Sequence, residues 1–296
     1  MKLGYIGLGK MGTNMVERLL EHKHTIVVYD KNPELAQQFT WKGVEGMRSS
    51  WNLIDALGHP CVIWLMVPHE TVDEVLNEIV PILRDGDTII DGGNSFYKDS
   101  MRRAKDLAQR YIRFLDVGVS GGPEGARHGA CLMIGGERSV YDEFEHLFRD
   151  IAAENAYGYF GPAGAGHFVK MVHNGIEYGM MQAIAEGFEV LKQSPYGFQL
   201  GRVADLYNHK SVIESRLVGW LKEAYEAHGE DLASMSGSVR QSGEGAWTVE
   251  TAKEFGVPVS VLEQAVEFRN RSQENPRYAG KILTALRNKF GGHATQ

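Results

Sequence analysis

Several things that this sequence lacks exclude whole classes of protein. No apolar run reaches the about 20 residues that a membrane-spanning helix needs. The N-terminal MKLGYIGLGKMG carries glycines and a second lysine where a signal peptide needs an unbroken apolar stretch. Two cysteines occur, Cys61 and Cys131, each inside an apolar run and neither with a spaced partner typical of a zinc site. We therefore expect a cytoplasmic protein with buried free thiols, no disulfide, no metal and no membrane contact.

An excess of positive charge is also missing. The chain has 31 Lys and Arg against 38 Asp and Glu, a formal net charge of −7, which argues against non-specific nucleic-acid binding. The overall field would repel an anionic substrate, so such a substrate would need a local cluster of cationic side chains. The 43% hydrophobic and 23% charged fractions are typical of a globular protein with a sizeable core.

The first half of the chain alternates short apolar strands with amphipathic helices. Predicted strands lie at Lys2–Ile6, His24–Tyr29, Cys61–Val67, Thr88–Asp91, Arg113–Val117, Cys131–Ile134 and Tyr157–Phe160. Predicted helices lie at about 12–21, 33–40, 70–84, 97–110 and 139–152. This order predicts an α/β fold with a Rossmann-type doubly wound sheet over residues 1–162. After the glycine-rich segment 161–166 only helical periodicity remains, so 163–296 is predicted as an all-α domain that ends in an extended tail at about 287–296.

The first strand is followed by a glycine motif that predicts a dinucleotide site. In this motif Gly7 permits the tight turn, Gly9 lets the pyrophosphate approach the backbone, and Gly12 lets helix and strand pack closely. Asp30, at the end of the second strand, would bind the adenosine ribose and repel a 2′-phosphate, which favours NAD over NADP, although the adjacent Lys31 weakens that preference. The predicted cofactor contacts are Gly7, Leu8, Gly9, Lys10, Met11, Gly12, Asp30, Met66, Val67 and Asn94.

The segment 166–192 predicts a largely apolar helix that carries one polar stripe. The stripe consists of Lys170, His173, Asn174, Glu177 and Tyr178, at positions i, i+3, i+4, i+7 and i+8. Burying such groups without a purpose would be costly, so the stripe indicates an active site. The alternative is a solvent-exposed face with a Lys–Glu surface pair.

An acid and a base two helical turns apart suit the oxidation of a secondary alcohol. A base must take the hydroxyl proton, and Lys170 could do so if burial lowered its pKa by roughly 3 from about 10.4. If the alcohol is β to a carboxylate, the product is a β-keto acid, and the protonated lysine beside its carbonyl would assist loss of CO2 without a metal. Glu177 could then protonate the resulting enediol on carbon.

These residues resemble the 6-phosphogluconate dehydrogenase family along nearly the whole chain, in a short form with one helical half. The motifs are GLGKMG, IIDGGNS at 89–95, VSGGPEGARHG at 119–129, KMVHNGIEYG at 170–179, GAWT at 245–248, and Arg287 with Phe290–His293. The resemblance implies that Lys170 is the base and Glu177 the acid. It implies substrate contacts from Asn94, Ser120, Gly121, Gly122, His173 and Asn174, phosphate contacts from Tyr178 and Arg269, and tail residues Arg287 and His293 that reach a partner subunit's site.

Two departures from the family leave alternatives open. Related enzymes have a lysine and a threonine on the phosphate where this chain has Ser242 and Glu244, and an inward-pointing Glu244 would repel phosphate. A non-phosphorylated aldonate is therefore an alternative substrate. The chain also lacks the second helical repeat of longer members, so its subunit packing must differ; we expect a homodimer or a higher even oligomer.

Two alternative hypotheses concern the reaction itself. A non-decarboxylating β-hydroxyacid dehydrogenase would share the architecture and the lysine, but would need neither Glu177 nor the arginine-bearing tail. A module that senses NAD without catalysis would have no reason to keep a buried acid and base. Release of CO2 distinguishes the decarboxylating enzyme from both.

Overall fold

The computed structural model describes residues 1–39, 43–240, 243–292 and 294–295 and divides the chain into two compact units. The units are Met1–Lys170 and Met171–Gln296, so the division falls inside a long helix at Ala165–Gln193. The predicted domain boundary at 162 remains a prediction. No helix in the described part of the chain is long and apolar enough to cross a membrane.

The first unit is built on a mixed sheet. Its strands are β1 (Lys2–Ile6), β2 (Thr25–Tyr29), β3 (Glu45–Gly46), β4 (Val62–Leu65), β5 (Thr88–Asp91), β6 (Arg113–Ser120), β7 (Ala130–Gly136) and β8 (Ala152–Gly161). Their order is β3-β2-β1-β4-β5-β6-β7-β8, with β7 antiparallel to β6 and every other neighbouring pair parallel. The predicted Rossmann-type architecture is confirmed. The two-residue β3 was not predicted.

Both faces of this sheet are covered by helices. These are α1 (Lys10–Glu21), α2 (Pro33–Gln37), α3 (Ser50–Leu57), α4 (Val72–Ile79), α5 (Tyr97–Ala108), α6 (Gly122–His128) and α7 (Arg138–Ile151). Neighbouring strand residues point to opposite faces. Trp64 and Ile90 accordingly join one apolar core with α1 and α7, while Ile63 and Ile89 join another with α3, α4 and α5. Helices α3 and α6 were not predicted.

The second unit is helical throughout its described residues. It contains most of α8 (Ala165–Gln193), then α9 (Leu200–Tyr207), α10 (Arg216–His228), α11 (Glu244–Glu254), α12 (Ser260–Arg271) and α13 (Tyr278–Gly291). Its core consists of apolar residues from α8, α9, α10 and α13 together with Leu232, Met235 and Val239. The predicted all-α second half is confirmed.

Two sequence-based expectations are wrong. The segment 287–291 is the last turn of α13 and not an extended tail, because Leu286 is buried, Phe290 lies against Trp220 with ring centroids 5.7 Å apart, and the helix ends only at left-handed Gly292. Cys131 is exposed and not buried. It pairs with Ser120 at the end of β6, and the pairing of β7 with β8 shifts register at this point, between Ala130 and Leu132.

Candidate active site

The glycine motif after β1 forms a backbone cradle with one open position. Gly7 has a φ of +100°, which favours glycine, and a side chain there would come closer than 3.0 Å to the Met66 carbonyl. A Cβ on Gly12 would collide with the Gly7 carbonyl. A Cβ on Gly9 would meet nothing within 4 Å. Packing therefore accounts for Gly7 and Gly12, whereas Gly9 faces open space of the kind that a pyrophosphate occupies.

The start of α1 can receive an anion. Gly9 is its N-cap residue and supplies no side-chain hydrogen bond, and the first turn has no acidic residue. The N–H groups and the helix dipole therefore favour a phosphate at this end. Lys10 and Met11 lie in this first turn, and Met66 and Val67 directly follow β4.

Asp30 links the glycine loop to the end of β2. Its carboxylate accepts hydrogen bonds from the Leu8 N–H at 2.6 Å and from the Asn32 N–H at 2.8 Å. These bonds fix the carboxylate at the position where Rossmann folds bind the adenosine ribose. The residues present thus fit a dinucleotide whose adenosine ribose lies at Asp30.

The loop after β5, which carries Asn94, is held by a network that the sequence did not reveal. Buried Asp91 accepts hydrogen bonds from the Gly93 N–H at 3.0 Å and from the Ser95 hydroxyl at 2.8 Å, and Arg103 donates to Ser95 at 3.0 Å. Ser120 ends β6 at the same carboxyl edge of the sheet. Gly121 follows with a φ of +120°, and Gly122 begins α6.

Lys170, the last residue of the first unit, is only 9% exposed. Its Cβ lies so close to Gly118 on β6 that any side chain at position 118 would overlap it. The ammonium is electrostatically coupled to Cys131: burial raises the pKa of that thiol, and the Lys170 charge partly opposes the rise. Lys170 is therefore buried within the first unit, and neighbours β6 and β7 beside Ser120 and Cys131.

The remaining stripe residues lie in the second unit. Asn174 and Tyr178 are buried, while His173 Nδ1 lies 3.0 Å from Asn174 Oδ1 and 3.9 Å from Glu177 Oε2. In contrast, three apolar residues of α8 are exposed: Ile176 (54%), Met180 (44%) and Val190 (71%). This distribution contradicts the interpretation of the stripe as a solvent-exposed face.

A cation cluster in the second unit surrounds Tyr178. Arg269 is 2% exposed, and its guanidinium carbon lies 3.4 Å from the centroid of the Tyr178 ring. Burial lowers the pKa of Arg269 to about 10 and also lowers the pKa of half-buried Arg287 on α13. The charges of Glu177 and Glu244 act on both guanidiniums without cancelling the effect of burial, and the buried Tyr178 hydroxyl has no hydrogen-bond partner among the described residues. Such a set of donors is suited to an anion.

Glu244 is brought to this cluster by α11. A Cβ on Gly245 would overlap the Tyr178 ring, so only glycine permits this close approach of the helix. Glu244, one residue earlier, is buried and its charge acts on both Arg269 and Arg287. The sequence raised the question of an inward Glu244, and burial beside the two arginines answers it for this unit.

Two predicted residues, Ser242 and His293, lie outside the described residues. Arg287 is described, and its charge acts on Arg269 of its own chain. The resemblance implied that Arg287 reaches a partner's site. The continuation of α13 places Arg287 near Arg269 of its own unit, and its reach to a partner's site remains a prediction.

A cluster of possible metal ligands lies at the opposite edge of the sheet. His59, Cys61 and Asp87 precede β4 and β5, and their ligand atoms lie within 4.8 Å of one another. The Asp87 carboxylate already accepts hydrogen bonds from the Cys61 and Arg84 N–H groups, both at 2.7 Å, and from His59 Nδ1 at 2.8 Å. These bonds account for the buried carboxylate as a loop anchor.

In a comparison with known proteins, one family model matches most of each unit. Residues 2–161 match the family model of the NAD binding domain of 6-phosphogluconate dehydrogenase, and residues 166–294 match that of the 6-phosphogluconate dehydrogenase C-terminal domain.

Three similar proteins illustrate the match. The chain is 47% identical to YqeC of Bacillus subtilis, provisionally named a 6-phosphogluconate dehydrogenase, over 100% of this chain and 99% of that one. It is 40% identical to the NAD(+)-dependent, decarboxylating 6-phosphogluconate dehydrogenase of Haloferax volcanii, over 99% and 98% of the two chains. The 6-phosphogluconate dehydrogenase structure of Plasmodium falciparum superimposes with a TM-score of 0.82 at 28% identity, covering 97% of this chain and 70% of that one.

Proposed function

The chain belongs to the 6-phosphogluconate dehydrogenase family, and from that premise we propose that it converts 6-phosphogluconate to ribulose 5-phosphate and CO2 with NAD. The observation that carries the choice of substrate is the cation cluster around Tyr178. Burial makes the charges of Arg269 and half-buried Arg287 costly, as their lowered pKa values indicate, and a phosphate dianion would relieve that cost.

The proposed roles of the phosphate contacts follow from their chemistry. Arg269 presents a planar guanidinium that can bind phosphate through two hydrogen bonds, and its stacking on Tyr178 keeps the plane fixed. The Tyr178 hydroxyl can donate a further bond, and Arg287 adds a second positive charge. The remaining substrate contacts are proposed from Asn94, Ser120, Gly121, Gly122, His173 and Asn174.

The proposed reaction uses two residues of α8. Lys170 takes the proton of the hydroxyl group β to the carboxylate, and NAD, when bound, would supply the hydride acceptor. The protonated Lys170 then gives its proton to the new carbonyl oxygen as the C–C bond to CO2 breaks, which leaves a neutral enediol. Glu177 gives a proton to the carbon of this enediol while Lys170 takes back the hydroxyl proton, and proton exchange with solvent restores both groups.

Asp30 supports NAD as the preferred cofactor. Its carboxylate is held by two backbone N–H groups, so it cannot swing away to admit a 2′-phosphate without losing both bonds. The exposed Lys31 next to it offers a weaker countercharge. The similar Haloferax enzyme is NAD(+)-dependent by name.

The exposed apolar face of α8 supports a homo-oligomer. This face, Ile176, Met180 and Val190, lies on the helix that carries the polar stripe, and we propose that a second copy of the chain covers it. In light scattering, Met180→Glu and Val190→Glu should convert the oligomer to a smaller species. An unchanged mass for both variants would contradict this interface. That Arg287 and His293 reach the partner's site also stays a proposal.

A non-phosphorylated aldonate is the second candidate substrate, and the buried Glu244 is the observation that favours it. A carboxylate that already compensates Arg269 and Arg287 reduces what a phosphate would gain. We place this candidate second because burial still lowers the pKa of both guanidiniums in the presence of the Glu177 and Glu244 charges, and the Tyr178 hydroxyl has no partner among the described residues.

Initial-rate kinetics of the purified protein test these proposals together. 6-Phosphogluconate and gluconate are each assayed with NAD and with NADP while CO2 is trapped. The highest kcat/KM should belong to 6-phosphogluconate with NAD, with one CO2 released per NADH. A preference for gluconate would contradict the phosphate site, and turnover without CO2 would indicate a non-decarboxylating β-hydroxyacid dehydrogenase.

A further inference from the structure

Buried Asp116 on β6 caps the start of α8 from a distant part of the chain. Its Oδ1 accepts a hydrogen bond from the Gly164 N–H at 2.7 Å, and its Oδ2 accepts one from the His167 N–H at 2.8 Å. The first N–H groups of a helix have no partner within the helix, so an outside acceptor is needed where they are buried. The anionic carboxylate also lies at the positive end of the helix dipole.

His167 completes this arrangement. Its side chain is buried, and its Nδ1 is hydrogen bonded to the Ser100 hydroxyl on α5 at 2.7 Å. Burial raises the pKa of Asp116, whereas the neighbouring His167 and the two N–H groups lower it. The first turn of α8 is thus tied to both β6 and α5.

Glycines let the helix lie directly on the sheet at this point. A Cβ on Gly166 would come closer than 3.0 Å to the Met133 and Asp116 carbonyl oxygens, and a Cβ on Gly118 would overlap the Lys170 side chain. Lys170 follows His167 by three residues and therefore lies on the same side of α8. A displacement of the first turn must move Lys170 with it.

We infer that Asp116 is a positioning residue for Lys170: it fixes the first turn of α8 on the sheet and so sets where the lysine amine stands. This inference rests on the proposed role of Lys170 as the base. In Asp116→Asn the new amide would offer one acceptor oxygen and one NH2 group to two backbone N–H donors. One N–H would then lose its acceptor and meet another donor, and the turn would shift.

Asp116→Asn has a matched control in Asp87→Asn. Both aspartates are fully buried, and each accepts hydrogen bonds from two backbone N–H groups, but Asp87 lies at the opposite edge of the sheet. A small misplacement of a catalytic group can reduce the rate by about 100-fold. We expect Asp116→Asn to lower kcat by about 10- to 100-fold, with the KM for NAD unchanged, while Asp87→Asn lowers the melting temperature similarly and leaves kcat unchanged.

A deuterium isotope effect separates positioning from a general loss of folded enzyme. With substrate deuterated at the oxidised carbon, Asp116→Asn should show a larger isotope effect on kcat than the wild type, because hydride transfer becomes slower relative to other steps. Loss of folded enzyme lowers kcat without changing this ratio. A normal kcat in Asp116→Asn, or equal kcat losses and unchanged isotope effects in both variants, would overturn the inference.

Two additions keep the test decisive. If Asp116→Asn does not fold, Ser100→Ala removes the hydrogen bond to His167 and should lower kcat by about threefold to tenfold for the same reason. Amide hydrogen exchange of residues 164–170 requires no substrate, and protection there should fall in Asp116→Asn but not in Asp87→Asn. If the wild type does not turn over 6-phosphogluconate, the proposed function fails while the exchange result still tests the tie between β6 and α8.

Discussion

Replacing Arg269 by methionine should weaken substrate binding and stabilise the protein at the same time. Burial lowers the pKa of Arg269 from 12.5 to about 10, and this difference corresponds to a cost of roughly 3 kcal/mol for keeping the charge in the folded state. Because the folded-state pKa lies below the unfolded-state value, the full cost applies at every pH below about 10. It disappears only as the pH rises through that value toward 12.5.

The stacking of Arg269 on Tyr178 offsets part of this cost. A desolvated cation–π contact contributes about 2 kcal/mol, so the buried guanidinium leaves a net cost of roughly 1 kcal/mol. Methionine fills a similar volume without a charge. We expect Arg269→Met to raise the melting temperature of the substrate-free protein by about 2–4 °C.

The same substitution should cost substrate affinity. Hydrogen bonds to charged groups contribute about 1.5–3 kcal/mol, which predicts a loss of about 10- to 150-fold in kcat/KM for 6-phosphogluconate. The value for gluconate, which has no phosphate, should stay unchanged. Added 6-phosphogluconate should raise the melting temperature of the wild type and have a much smaller effect on the variant.

Arg271 provides the matched control on the same helix. It is exposed and pairs with Glu267 at 2.7 Å, so Arg271→Met should change the free energy of unfolding by less than about 0.5 kcal/mol and leave kcat/KM unchanged. Equal losses with both substrates in Arg269→Met would refute the phosphate assignment. A fall of several degrees in its melting temperature would refute the estimate of an unfavourable buried charge.

Four further substitutions test the proposed cofactor and phosphate sites. Gly9→Ala should abolish NAD binding in calorimetry without lowering the melting temperature. Gly12→Ala should lower the melting temperature, because its Cβ would overlap the Gly7 carbonyl. Retained NAD affinity in Gly9→Ala would contradict the proposed path of the pyrophosphate. Asp30→Asn should raise the NADP:NAD ratio of kcat/KM by about tenfold or more, since it removes the charge that repels a 2′-phosphate, and an unchanged ratio would assign the preference to other residues. Glu244→Gln should lower the KM for 6-phosphogluconate about fivefold, because it relieves about 1 kcal/mol of repulsion between the Glu244 carboxylate and the phosphate. The gluconate kinetics should stay the same. A higher KM for 6-phosphogluconate would mean that Glu244 orients the arginines instead.

Local patterns were sufficient to predict most of the fold. The glycine motif, Asp30 and the polar stripe are patterns of residues close together in the sequence. The strands and helices that carry them form as predicted. The strands of the central sheet are continuous apolar runs, which is typical of a sheet buried on both faces. These signals depend on the neighbouring sequence alone, so long-range contacts did not alter them.

The errors arise where a distant contact decides the outcome. Cys131 lies in an apolar run, but it is exposed at a point where the pairing of β7 with β8 shifts register. The last turn of α13 contains polar and glycine residues that suggest a tail, but Phe290 lies against Trp220 and extends the helix. Asp116 looks like one polar residue inside a strand, and its role as a cap depends on N–H groups about 50 residues later.

Two groups of residues on α8 bring these observations together. The helix buries apolar residues such as Met181 and Phe188 in the core, but it also buries Lys170, Asn174 and Tyr178 and leaves Ile176, Met180 and Val190 exposed. The packing of the single chain does not account for these last two groups, because it desolvates the polar side chains and leaves the exposed apolar ones uncovered. A bound anionic substrate on the polar side and a second chain on the apolar side would each remove one of these costs. Substrate binding and assembly should therefore both stabilise this helix. The melting temperature of the wild type should rise with protein concentration, and this rise should be smaller in variants of the apolar face.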